Sequence, residues 1–223
     1  MLPLLFFDIK TAANPDALEF LPEPAAPANY KDAEKIAQYV SEKKTEQALL
    51  APLDADLGKV TAIAMQRGLE NAAEVYLSGD DGTPDEKTLL ECFWQAFSHL
   101  NGRACGYNIL GFDLPYLLRR SFALRIDVPL PPRLAKYQIE PVVDLMGILY
   151  NWGNARALKW VCKRYDIPNT LPDLDGSKEV EMDRDTLRNY AGNELNLIIE
   201  LYKRMCGVYL PALEAFQPAF LPR

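Results

Sequence analysis

The sequence predicts an α/β fold, one mixed β-sheet flanked by α-helices on both faces. Two observations predict it. Short, continuous apolar runs recur, the first being Leu4-Leu5-Phe6-Phe7; their length suits strands buried on both faces better than helices. Between them lie longer stretches with apolar residues at helical spacing, in the order strand, hairpin, helix, strand, helix, strand, helices.

Residues 4–11 form the first strand, which presents Asp8 at its carboxyl edge, where open α/β sheets bind ligands. Lys10, two residues on, shares that face of the strand. A polar, proline-dotted connection covers residues 11–29. Residues 31–47 carry Ile36, Tyr39 and Val40 at helical spacing and read as an amphipathic helix. Residues 58–65 and 73–77 read as strands of a hairpin joined through 68–71. Thr83 as N-cap, Pro84 in the first turn and Glu86 three residues on make a capping-box pattern. The helix it opens runs to about residue 100 through Leu89, Leu90, Phe93, Trp94 and Phe97.

Residues 103–107 form another strand and 114–124 a helix. Pro129, Pro131 and Pro132 mark a loop, and 140–145 the last strand. Two helices follow, at 156–165 and 184–205, split by a loop containing Asp173-Leu174-Asp175-Gly176-Ser177. Residues 1–205 are expected to form one domain with 31–47 as a helical insertion, and 206–223 a tail strapped onto it.

Composition narrows the function. No run approaches the roughly 18 apolar residues of a membrane helix, and the N-terminal run has no basic flank or cleavage site of a signal peptide. Cys92, Cys105, Cys162 and Cys206 form no C-x-x-C pair; they are expected to be reduced, buried thiols of a cytoplasmic protein. The only histidine, His99, excludes histidine zinc sites and leaves no Ser–His or Cys–His dyad that does not use it; it reads as a helix C-terminal residue. The net charge is -7, but residues 113–164 hold 9 basic side chains against 4 acidic ones. From charge alone an ordinary solvated surface outweighs a binding patch there.

Three acids fall where elements end or pack. Asp8 ends the first strand, Asp113 opens a helix, and Glu194 borders the apolar stripe of the last helix with Tyr190 one turn before it. Convergent carboxylates suit hard divalent cations, Mg²⁺ or Mn²⁺, one or two ions, which activate a water and stabilise the leaving oxygen of a phosphodiester. Taken singly, Asp113 is most simply an N-cap, Asp8 a strand-end residue and Glu194 a partner for an arginine. Asp144 reads as a cap for the segment after it.

Phe7-Asp8-Ile9-x-Thr11, then Gly106-Tyr107-Asn108-Ile109-Leu110-Gly111-Phe112-Asp113 continuing to Leu117, then Tyr190-x-x-x-Glu194, resemble the three motifs of DEDD 3′–5′ exonucleases. The second motif resembles the proofreading exonuclease domain of family-B DNA polymerases, and Asp173-Leu174-Asp175-Gly176-Ser177 before the last motif resembles the stand-alone predicted exonucleases related to that domain. The resemblance implies an RNase H-like fold and the tyrosine subclass, in which the Tyr190 phenol orients the attacking water. It implies Asp8, Asp113, Tyr190 and Glu194 as catalytic residues, the three acids as metal ligands, and Asn108 as a brace of the second motif. The implied substrate is a single-stranded or frayed 3′ end, DNA in preference to RNA, in a replication or repair setting that can include a protein partner. Thr11, Asn108, Phe112, Tyr116, Arg119 and Arg120 are the expected substrate contacts, with Lys10.

Two residues depart from that pattern. Lys10 stands where the family has Glu, and Glu194 where it has Asp. The first puts a cation beside the metal positions. The second lengthens a ligand by one methylene, about an ångström against a tolerance of roughly 0.5 Å. The long stem of Lys10 is expected to bring its ammonium to Asp8 or to a substrate phosphate. Activity is therefore expected to be weakened, with a catalytically silent protein that binds single strands or a partner as the alternative.

Overall fold

The computed structural model describes residues 3–79, 85–174 and 182–210. Its five strands are β1 (Leu5–Ala13), β2 (Gly58–Arg67), β3 (Glu74–Leu77), β4 (Ala104–Gly106) and β5 (Val142–Asp144), in one sheet of order β3-β2-β1-β4-β5. The helices are α1 (Pro15–Leu18), α2 (Ala33–Leu50), α3 (Glu86–His99), α4 (Asp113–Ala123), α5 (Leu145–Leu149), α6 (Leu158–Arg164) and α7 (Arg184–Cys206). The fold class is the expected one.

β1 is the hinge of the topology. It pairs antiparallel with β2 and parallel with β4, so the hairpin half of the sheet meets the parallel half on this strand. Alternation along it builds two cores. Leu5, Phe7 and Ile9 join a cluster with Phe93, Trp94 and Phe97 of α3 and Leu114 and Leu117 of α4. Leu4 and Phe6 join the opposite cluster, with Leu195, Ile198 and Tyr202 of α7. Asp8 and Lys10 continue this second register and so face α7. The parallel pairing with β4 covers only Leu5 and Phe6; beyond them the two strands part.

Where the structure departs from the sequence reading, local chemistry explains it. Thr83 and Pro84 lie outside the described residues. The cap of α3 is Asp85, whose carboxylate accepts from the Thr88 N–H at 2.8 Å. Glu86 closes no capping box; it accepts from the Val60 N–H at 2.8 Å and pairs with Arg120. Cys92 is exposed because it lies off the buried stripe of α3, and Cys206 is half-buried. The short helices α1 and α5 carry too few residues to show a helical period. Asp175, Gly176 and Ser177, and the tail from residue 211 on, lie outside the described residues. α2 has the expected position but buries none of its residues.

Arg120, expected on the substrate path, is only 6% exposed and serves the fold. Its guanidinium takes both oxygens of Glu86 at 2.8 Å and donates to the Ala55 carbonyl, tying α4 to α3 and to the turn before β2. Removing one member of such a pair leaves a buried charge uncompensated. Arg120→Met is expected to lower unfolding stability by about 3–5 kcal/mol in urea titration.

Candidate functional site

The site lies where the parallel half of the sheet ends. A cleft of about 590 Å³ opens there, lined by Asp8, Lys10, Asn108, Asp113, Tyr190 and Glu194 among others. The three acids predicted from the sequence share one cleft. Their positions follow from backbone bonding at the point where β1 and β4 separate.

Two carboxylates satisfy that backbone. Asp113, in the first turn of α4, is 4% exposed and accepts from the Ile9 N–H at 3.2 Å, on the strand that has lost its parallel neighbour. Asp144 ends β5 and accepts from Asn108 and Leu110 N–H groups, each at 3.0 Å, and from Met146 and Gly147 at the start of α5. It is the expected cap and also holds the turn between β4 and α4. Asn108 takes a left-handed backbone in that turn, φ 64°, which asparagine tolerates. Its carbonyl accepts from Gly111 and Phe112. A Cβ on Gly111 would stand 2.3 Å from the Asn108 side-chain oxygen, so any larger residue there would displace the Asn108 amide.

Lys10 lies at the centre of the cleft. Its side chain is 4% exposed, and its Nζ is 2.6 Å from Asp8 Oδ2 and 2.6 Å from Glu194 Oε2. One ammonium therefore joins β1 to α7. Lys159, from α6, stands 3.8 Å from the other oxygen of Glu194, and its Nζ has no hydrogen-bond partner among the described residues. Both ammonium groups lie over the Tyr190 ring, at 4.7 and 4.8 Å from its centroid. Tyr190 is 2% exposed, so it forms an inner wall of the cleft and not its rim.

The electrostatics follow this packing. Burial pushes the Asp8 carboxyl above its ordinary range, and Lys10 offsets only part of that. Burial and the charge of Asp8 push Asp113 well above it. Burial also raises Glu194, but Lys10, with Lys159 and Tyr190, outweighs it and holds that group below its ordinary range. Buried Cys105 and Cys162 are no nucleophiles: burial raises both thiols, Cys162 to about 12.

The other expected contacts divide. Thr11 lines the cleft, and its hydroxyl donates to the Pro52 carbonyl at 2.7 Å; Phe112 lines it half-buried. Tyr116 is 3% exposed and belongs to the core around α3, not to the cleft wall. Arg119 is exposed and pairs with Asp54, at 2.9 Å, and with Asp56. Besides Lys10, the cleft's basic residue is Arg156, whose carbonyl accepts from the Tyr107 hydroxyl and whose guanidinium stacks on Trp160. Arg156 and Lys159 are two of nine basic residues in residues 113–164, with no local pattern to single them out.

The residues do not fit a divalent ion as they stand. The facing oxygens of Asp8 and Glu194 are both engaged by Lys10, and among the described residues no group of three His, Cys, Asp or Glu side chains is arranged to hold a metal. Lys10→Met leaves two carboxylates, 16% and 14% exposed, facing each other without their cation and is expected to lower stability, by up to about 3–5 kcal/mol, in urea titration. Asp113 has a raised folded-state pKa, so its contribution to stability is fully present in acid and is lost as pH rises from the ordinary carboxylate range through the raised value. Asp113→Asn is therefore expected to unfold at higher denaturant than the unmodified protein at neutral pH, with the difference closing in acid.

The family described as "Predicted 3'-5' exonuclease related to the exonuclease domain of PolB" matches residues 53–192. The match takes in Asp113 and Tyr190; Asp8, Lys10 and Glu194 lie outside it. No curated protein matches the sequence. The structure is similar to that of the family B DNA polymerase from the hyperthermophilic archaeon Pyrobaculum calidifontis, with a TM-score of 0.61 and 18% identity. The similarity covers 92% of this chain and 24% of the polymerase chain, and at that identity it is one of fold. Over most of its length, then, the chain belongs to the family of predicted 3′–5′ exonucleases related to the exonuclease domain of PolB.

Proposed function

We propose that this protein takes the 3′ end of a single strand of nucleic acid, DNA in preference to RNA, into the cleft beside the middle of β1, and that its 3′–5′ exonuclease activity is held low by Lys10. The observation that carries the reading is the meeting of Asp8, Asp113 and Glu194 in one cleft with an ammonium already between two of them. Family membership supports a nuclease-type substrate, and the fold shared with a DNA polymerase supports DNA.

The cleft's own residues supply the binding chemistry. Phe112 and Tyr107, both half-buried, offer aromatic surface on which an unpaired base stacks. Arg156 offers a guanidinium to the backbone phosphates. A blunt duplex end has its bases stacked and paired and cannot present them to such a wall. In this family Mg²⁺ or Mn²⁺ held by the acids would supply the activation of water; the Lys10 bridge leaves Asp8 and Glu194 engaged, which favours binding over turnover.

Fluorescence anisotropy with a labelled single strand and with the same strand in a blunt duplex tests the binding; loss of the 3′ nucleotide in Mn²⁺, followed on gels, tests the turnover. The expected result is tighter binding of the single strand with slow shortening. Equal affinity for the duplex, or rapid degradation, defeats the reading. Arg156→Glu is expected to weaken single-strand binding and to flatten its salt dependence by roughly 0.7 in slope for each phosphate that is no longer neutralised.

A further inference from the structure

We infer that the Lys10 ammonium is a built-in counter-ion that takes the place of a divalent cation in this cleft, and that Lys10 and Lys159 together let it hold a nucleic-acid phosphodiester without metal.

The geometry carries the first half. The two carboxylates that face each other across the cleft, Asp8 from β1 and Glu194 from α7, are joined by one buried nitrogen at 2.6 Å from each. A second ammonium, Lys159, lies 3.8 Å from the remaining oxygen of Glu194. Two monovalent cations thus supply the same charge as one divalent ion, and they neutralise the same two carboxylates. A metal entering this space would meet both ammonium groups at close range, where like charges are poorly screened. It would also have to displace Lys10 from a position in which its stem is packed and 4% exposed. The residues of α7 reinforce this: the ring of Tyr190 faces both nitrogens and favours cations fixed at that spot.

The second half rests on the proposed function. A cleft whose acids are already neutralised does not repel an incoming phosphodiester, and it needs no added ion to accept one. Lys159 Nζ, buried 3.8 Å from Glu194, neutralises that acid from behind, and Arg156, which lines the cleft, is the donor placed to meet the phosphodiester.

The two halves are tested separately. Calorimetric titration of Mn²⁺ into the unmodified protein, Lys10→Ala and Lys10→Glu, with no nucleic acid present, reads the counter-ion alone. Thermal unfolding across a Mn²⁺ series gives the same answer through the shift in Tm. Little binding is expected in the unmodified protein, a gain in Lys10→Ala, and a gain of at least about 100-fold in affinity in Lys10→Glu, which removes a cation and adds a ligand. Tight binding by the unmodified protein overturns the inference. So does the absence of any gain in both variants, because then Lys10 is not what keeps the ion out. If Lys10→Glu does not fold even in Mn²⁺, Lys10→Ala decides in the same way.

Single-strand binding is then compared in EDTA and in Mn²⁺, with the unmodified protein and with Lys159→Gln. Equal affinity in the two buffers, and a loss of about tenfold in Lys159→Gln, support metal-free holding of the phosphodiester. Binding that needs Mn²⁺ overturns it. A protein that excludes Mn²⁺ but binds no single strand in either buffer keeps the counter-ion and removes the proposed function.

Discussion

One nitrogen atom fixes the relation between the two halves of this site. Lys10 reaches from the central strand to the long helix α7 and holds a carboxylate of each. Asp8 and Glu194 cannot both sit buried at this distance without a cation between them; the desolvation of two like charges would be prohibitive. The helix α7 is brought across the sheet by apolar residues such as Leu195 and Ile198, but the ammonium decides that its polar turn closes on β1 without penalty. The lowered pKa of Glu194 and the incompletely offset rise of Asp8 are the two electrostatic faces of this bridge.

Around the bridge, the cleft exists because the sheet is incomplete. β1 and β4 are paired over two positions only, and the strands then separate. Backbone groups that a longer ladder would have satisfied are taken up by side chains: Asp113 receives the Ile9 N–H, and Asp144 receives those of Asn108 and Leu110. The same acids that make this region look chemical therefore also make it stable. Asp113 in particular has a structural partner at one oxygen, so its presence in the cleft does not by itself assign it to catalysis.

The basic residues show how position overrides composition. Arg119 and Arg120 are adjacent, yet one is solvated and paired with Asp54 and Asp56 while the other is buried against Glu86. Helical rotation of about 100° per residue separates their environments completely. Arg156 and Lys159, from the segment leading into α6 and from α6 itself, are the cations brought to the cleft and to Glu194.

The sequence by itself determined the fold class, the central place of β1 and the elements that bear the motifs, because strand and helix periods and the turn at Asn108–Gly111 are local properties of the chain. It also put Lys10 and Asp8 on one face, since alternation along a strand is fixed by backbone geometry. The tertiary structure alone decided that Lys10 binds Glu194, 184 residues away, and that Lys159 joins them, since no local pattern encodes which surface of α6 meets which turn of α7. It alone turned Tyr116 and Arg120 inward: a helix stripe shows which residues are buried, but not whether a buried group faces a cleft or a core. Side chains are sorted between core and cleft only when the elements pack, because that choice depends on what stands opposite.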